Sequence, residues 1–218
     1  MAEDFAARLR KLDSCAVSDS LDALGIKGTV YGLYSTTVKR RIAGRIQTVK
    51  LGPADSAPSK RHLCTAAVDA AQEGDVIVIE NHHRPDAAGW GGILSTAAAY
   101  KKLSGTIVDG PARDADESEE NNYPVYARSS IASTARGRIA EHEWNTPIDV
   151  GGVTVKPGDL VIADGSGVVF VPADKASEVL DKAEDIQARE RAMAAAVLQG
   201  KPVSAVMGGD YEQMLLKK

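Results

Sequence analysis

The spacing of apolar and polar positions changes several times along the chain, and each change predicts an element. Phe5, Leu9 and Leu12 recur at helical spacing; Val17, Leu21 and Leu24 follow Ser14 and stop at Gly25, so two short helices open the chain. From 26 to 52 the pattern turns β-like and glycine-punctuated, in TVYGLYSTTV and GRIQTVKLG. Pro58 and Ser59 introduce a third helix, RHLCTAAVDAAQE, in which Leu63, Ala66, Ala67 and Ala70 share a face and Gly74 supplies the stop.

DVIVIE at 75–80 and TIVD at 106–109 are continuous apolar runs of strand length, with the helix-like GGILSTAAAYKKLSG between them. Strand, helix, strand predicts two parallel strands joined by a right-handed crossover. The segments after their ends, NHHRPDAAGW and DGPARD, are expected to be loops, and loops at this edge gather ligands. After 124 the chain becomes β-rich, in PVYARSS and VTVKPGDLVIADGSGVVFVP, where PGD and DGSG mark turns. The last segment carries Val179, Leu180, Ala183 and Ile186 on one side, which predicts a long amphipathic helix over about 174–199 and a short tail over 200–218. No internal repeat or linker divides the sequence, so one α/β domain over 1–218 is expected.

Composition narrows the class. At 44% hydrophobic and 26% charged, the chain is of ordinary globular type. Its first residues do not read as a signal peptide, and no window approaches the apolar length of a membrane span, so a soluble cytoplasmic protein with no membrane partner is expected. A net charge of −4 disfavours nucleic acid as a partner. The basic stretch VKRRIAGR at 38–45 is interrupted by apolar residues and reads as a solvated strand edge. Cys15 and Cys64 lie outside any C-x-x-C pattern, which predicts buried free thiols rather than a disulfide or a thiolate zinc site.

The candidate chemistry lies in three places. In DGPARD, Arg113 and Asp114 are adjacent; in an extended loop their side chains point apart and need not neutralise each other. A guanidinium is a planar fork that fits a carboxylate, and an aspartate offers hard oxygens suited to Mg²⁺ or Mn²⁺. A plain turn carrying surface charge is the alternative. Upstream, GWGGIL enters a helix through glycines, so the amides of Gly91, Gly92, Ile93 and Leu94 form an anion seat at the positive end of the helix, or else the glycines serve close packing. Trp90 either walls the same pocket or packs at a subunit contact. His82 and His83 are near-neutral bases or simply an exposed pair, and His142 with Glu143 has no second cluster to complete a metal site.

GWGGILSTAAAYKKLSGTIVDGPARDADE, with VGGVTVKPGDLVIADGSGVVFVPADKA and the early SDSLDALG, resembles the family shared by the regulator of ribonuclease activity A and the 4-hydroxy-4-methyl-2-oxoglutarate aldolases, over nearly the whole chain. The resemblance implies a swivelling β/β/α domain, assembled as a homotrimer or a pair of trimers, with sites at subunit boundaries. It implies that Gly91 to Leu94 and Arg113 hold a pyruvate unit and that Asp114 holds a divalent metal, approached by an acidic residue of a neighbouring subunit's last helix. Glu190 lies near that place, although an exposed helix glutamate is the plain alternative. The implied reactions, aldol cleavage to pyruvate and oxaloacetate decarboxylation, pass through pyruvate enolate. The aldolases carry an aspartate where this chain has Gly92, so the proton-handling carboxylate is missing and His82 and His83 are the candidates to replace it. Two alternatives stand beside the lyase: a non-catalytic regulator that binds ribonuclease E or another protein, and an enzyme of this fold acting on a different oxo or sugar acid.

Overall fold

The computed structural model describes residues 4–55 and 61–208. In chain order its elements are helices α1 (Phe5–Leu9) and α2 (Ser14–Ala23), strands β1 (Thr29–Val30), β2 (Tyr34–Ser35) and β3 (Ile42–Pro53), helix α3 (Thr65–Ala70), strand β4 (Val76–Glu80) and helix α4 (Gly92–Tyr100). There follow β5 (Gly105–Ala112), α5 (Ala115–Glu120), β6 (Val125–Ser130), β7 (Ile139–Trp144), β8 (Ile148–Val150), β9 (Val153–Val155), β10 (Leu160–Ala163), β11 (Val168–Val171), α6 (Ala176–Leu198) and α7 (Val203–Val206).

Among the described residues, one nine-stranded mixed sheet runs in the order β1-β11-β10-β3-β4-β5-β6-β2, with β7 also paired to β3, and β8 and β9 form a separate hairpin. The predicted parallel pairing of β4 and β5 is present, with Val76 opposite Gly105 and Glu80 opposite Asp109. The continuous apolar run of β4 has a physical reason, because both faces of the strand are covered. Ile77 and Ile79 join the core that holds Trp90, Leu94 and Tyr123, whereas Val76 and Val78 join the core beneath the β8–β9 hairpin. A third cluster packs α1, α2 and α6 against β10 and β11. The apolar stripe predicted for α6, Val179, Leu180, Ala183 and Ile186, is buried there.

Several expectations are corrected. TIVD continues as strand through Ala112, so most of DGPARD is not loop; β5 pairs with β6 out to Ala112–Ser130 across an irregularity between Val108 and Pro111. Helix α3 starts only at Thr65, behind a left-handed Cys64, because the buried Glu141 carboxylate accepts the Cys64 amide at 2.7 Å. The expected start at Pro58 and Ser59 lies outside the described residues. The buried face of this region is Leu63, Cys64, Ala67, Val68 and Ala71, with Ala70 exposed, and the helix ends before Gly74. Only Cys64 is a buried thiol; Cys15 is exposed. Burial pushes the Cys64 thiol pKa well up, and Glu141 adds to the effect. VKRRIAGR is not a strand edge: residues from Ile42 belong to β3 in mid-sheet, and Arg41 donates to the Leu12 carbonyl at 2.6 Å. Helix α7 falls in the expected tail, of which 209–218 lie outside the described residues. No helix among the described residues is long and apolar enough to cross a membrane.

Candidate functional site

The loop after β4 returns to lie along the end of β5, where the Gly89 amide donates to the Pro111 carbonyl at 2.9 Å and the Arg113 amide donates to the Trp90 carbonyl at 3.0 Å. These two bonds set the glycine-rich start of α4 beside Arg113 and Asp114. A buried chain of donors fixes the arrangement from below. Trp90 Nε1 donates to Ser95 Oγ at 2.8 Å, Ser95 Oγ lies 2.8 Å from Ser118 Oγ, and Ser118 donates onward to the Asp114 carbonyl at 3.1 Å. Trp90 itself is buried and stacked on Tyr123, with centroids 6.2 Å apart.

Asp114 precedes α5 in a left-handed conformation (φ 55°, ψ 49°). A non-glycine residue held there costs about 1–3 kcal/mol, a strain that tends to persist at functional positions. Its carboxylate does not cap α5. Instead Oδ2 accepts the Gly92 amide at 3.0 Å and Oδ1 accepts Arg113 Nε at 2.9 Å. The adjacent charges therefore do pair, contrary to the extended-loop expectation, because the left-handed turn brings both side chains to one side. The same geometry fills part of the expected anion seat from within the chain. The amides of Ile93 and Leu94 remain in the first turn, ahead of the Ser95–Gly91 bond that begins the helical ladder. Burial opposes charge on Asp114, but the Gly92 amide and the Arg113 guanidinium outweigh it and hold the carboxyl below its usual range.

A cavity of about 230 Å³ opens over this corner, lined by Gly91, Gly92, Ile93, Leu94, Arg113 and Asp114 together with Trp90, His62, Leu63, Ala88, Thr134, Ala135 and Arg136. Drug-sized pockets begin at roughly 300 Å³, so this one suits a small molecule. The two loops singled out from sequence do meet. His62 and Arg136 are additions that sequence reasoning missed: each is a lone polar residue in a polar stretch, with no spacing signal.

A side chain at position 92 would set its Cβ 3.1 Å from Glu117 Cβ and 3.2 Å from Asp114 Cβ. Glycine there lets α5 close on α4.

His82 and His83 are not among the residues lining this cavity. Both adopt left-handed conformations and sit by two buried carboxylates, Glu80 at the end of β4 and Asp109 within β5. His82 Nδ1 stands 3.3 Å from Glu80 Oε1, and His83 Nε2 stands 3.1 Å from Asp109 Oδ1. The latter distance is not a hydrogen bond, because Arg128 Nη2 lies 2.7 Å from the same Nε2 and a guanidinium can only donate. His83 Nε2 thus accepts from Arg128, while Asp109 is satisfied by Arg128 Nε at 2.5 Å and the Gly151 amide at 3.1 Å. Glu190 faces Asp13 and Asp19 of its own chain; burial and those two acids raise its carboxyl pKa. His142 lies on β7 with Nε2 3.0 Å from the Pro53 carbonyl.

Among the described residues, no three His, Cys, Asp or Glu side chains come together as a metal cage. What the cavity offers is one ionised carboxylate whose two oxygens each retain a lone pair. Mg²⁺ commonly takes one or two carboxylates and fills its remaining positions with water and substrate, so this donor set fits Mg²⁺ or Mn²⁺ and not a closed zinc site.

Protein DlpA of Legionella pneumophila is 30% identical over 193 residues, a match that covers 88% of this chain but only 31% of DlpA, so the chain spans about a third of that relative's length. A Halalkalibacterium halodurans protein provisionally named a 4-hydroxy-4-methyl-2-oxoglutarate aldolase is 32% identical over 196 residues, covering 87% of this chain and 89% of the other. Among solved structures, an uncharacterised protein of Pseudomonas syringae pv. tomato str. DC3000 matches with a TM-score of 0.86 at 32% identity, over 95% of this chain and 98% of that one. Streptomyces coelicolor RraAS2, described as an unusual member of the RNase ES inhibitor RraA protein family, matches with a TM-score of 0.76 at 27% identity, over 88% of this chain and 96% of that one. The family model described as RraA-like, Aldolase/RraA, matches residues 14–170, a span that holds the whole cavity corner, and the chain belongs to that family.

Proposed function

We propose that the protein is a divalent-metal-dependent lyase that cleaves a small 2-oxo acid through a pyruvate enolate. One observation carries the reading: Arg113, Asp114 and the opening turn of α4 share a single cavity of small-acid size. Substrate carboxylate is seated by the free first-turn amides of Ile93 and Leu94, where the helix dipole favours an anion. Arg113 has its Nε committed to Asp114, which leaves the other edge of its guanidinium to donate to the 2-oxo oxygen as charge develops there. Asp114 would hold a divalent cation, which would supply Lewis-acid polarisation. Arg136, which also lines the cavity, adds a second guanidinium for which the described residues provide no side-chain partner. With one carboxylate seated on the α4 amides and Arg113 on the 2-oxo oxygen, this further guanidinium favours a substrate with a second carboxylate, as in oxaloacetate or 4-hydroxy-4-methyl-2-oxoglutarate.

The reading includes assembly as a homotrimer or a pair of trimers. Ile93, which lines the cavity, and Tyr100, two turns further along the same face of α4, stand 88% and 89% exposed, where a neighbouring copy would cover them. The direct test supplies either substrate with Mg²⁺ or Mn²⁺ and follows pyruvate release, with a chelator as control.

A second reading, a regulator that masks a ribonuclease, draws on Gly92 and on the likeness to RraAS2. A pull-down with ribonuclease E beside the pyruvate assay separates the two: binding without turnover favours the regulator.

A further inference from the structure

Any reaction through a pyruvate enolate needs a group that takes up a proton and gives it back, and among the described residues the cavity is lined by four titratable side chains: His62, Arg113, Asp114 and Arg136. A guanidinium offers only donors, so neither arginine can take up the proton. Asp114 spends one lone pair of each oxygen on Gly92 and Arg113, which makes it a weak base. The Trp90 N–H is committed to Ser95. His62 is left.

The hydrogen-bonding of its ring decides which nitrogen is basic. His62 Nδ1 lies 3.1 Å from the Leu63 carbonyl oxygen. A carbonyl only accepts, so Nδ1 carries the hydrogen in this contact, and the other nitrogen of the neutral ring, Nε2, is the unprotonated one. Among the described residues no hydrogen bond holds Nε2.

We propose that His62 Nε2 is the proton-transfer group of this site, acting in place of the aspartate that Gly92 replaces; the proposal rests on the enolate reading above. In the exchange direction, the C–H bond at the methyl carbon of bound pyruvate breaks, its electron pair enters the enolate with charge on the 2-oxo oxygen, and the proton passes to Nε2. In the product-forming direction, the imidazolium returns a proton to that carbon and the pair re-forms the C–H bond. Atoms and charge balance without a further reactant.

The test uses the full chain with Mg²⁺ and pyruvate in D₂O, following loss of the methyl proton signal by NMR, and measures oxaloacetate consumption in parallel. For His62→Gln, methyl exchange is expected to fall by roughly 10²-fold or more, the scale of a lost general base. Oxaloacetate consumption falls less, because its C–C cleavage begins with no proton removal. Added imidazole is expected to restore part of the exchange lost in His62→Ala. Independently of turnover, ¹⁵N NMR of the metal-free protein is expected to place the His62 hydrogen on Nδ1. Exchange by His62→Gln at the wild-type rate, or the hydrogen found on Nε2, overturns the proposal alone. A wild type that neither consumes oxaloacetate nor exchanges deuterium overturns the lyase reading as well.

Discussion

The backbone amide of Gly92 donates to the Asp114 carboxylate at 3.0 Å, so the first residue of α4 is tied to the last residue before α5. The bond joins the two sides of the candidate site, and it makes the position of one carboxylate depend on glycines at 91 and 92.

That dependence can be tested at Gly91. A Cβ there would stand 2.8 Å from Asp114 Oδ2, the tip of a side chain that can swing away, and Gly91 has an extended backbone that any residue adopts. Gly91→Ala is therefore expected to fold with little loss of stability while displacing the carboxylate. Misplacement by about 1 Å costs on the order of 10²-fold in rate. Thermal melting and pyruvate release measured together check this: a melting temperature near that of wild type with turnover down about tenfold to a hundredfold is the expected pair.

Arg136 separates substrates by charge. If its guanidinium holds a second carboxylate, Arg136→Gln is expected to raise KM for oxaloacetate about tenfold or more, in the range of one lost charge-assisted hydrogen bond, with kcat changed far less. Inhibition by pyruvate, which lacks the second carboxylate, is expected to stay the same. Steady-state kinetics on wild type and Arg136→Gln reads this directly.

The exposed face of α4 predicts an oligomer. Ile93→Asp combined with Tyr100→Glu places charge where the reading puts a subunit contact, and light scattering after gel filtration is expected to show a shift from three or six subunits toward one. A wild type that runs as a monomer contradicts the assembly.

Asp164 ties the start of α2 to the β10–β11 turn. It accepts the Ser14 amide at 2.8 Å, the Ser14 hydroxyl at 2.6 Å and the Ser166 amide at 3.0 Å. Burial opposes its charge, but these donors and Arg41 outweigh that and hold its carboxyl below the ordinary 3.8. Because the folded value is depressed, the stabilisation is full above the unfolded value and is lost as pH falls through the folded one. Asp164→Ala strands the donors and is expected to cost about 1–3 kcal/mol at neutral pH. In urea titrations the gap between wild type and variant is expected to shrink below about pH 4.

Elements that present an apolar face were legible in the sequence, and those held by polar contacts were not. Helix α6 and strand β4 follow directly from their apolar patterns. Strand β7 is hidden because one of its buried positions is Glu141, which accepts Arg61 at 3.0 Å and the Cys64 amide, so the strand reads as polar. Helix α5, ADESEE, has no apolar stripe at all and is anchored by the buried Ser118. At the site, Arg113, Asp114 and the glycines were visible through their types and spacing. Their direct pairing was not, because it depends on one left-handed residue. His62 enters the cavity only through the packing of the segment before α3, which no periodicity encodes.

The central claim is that Asp114 and Arg113 make this cavity a metal-dependent lyase site, and one comparison bears on it most directly: pyruvate release from oxaloacetate by wild type and by Asp114→Asn, across a Mg²⁺ or Mn²⁺ titration. Metal-dependent release by wild type that a chelator abolishes, with Asp114→Asn reduced at least about a hundredfold while still folded, is the predicted result. Equal release by the two proteins at every metal concentration, or release untouched by the chelator, would contradict it.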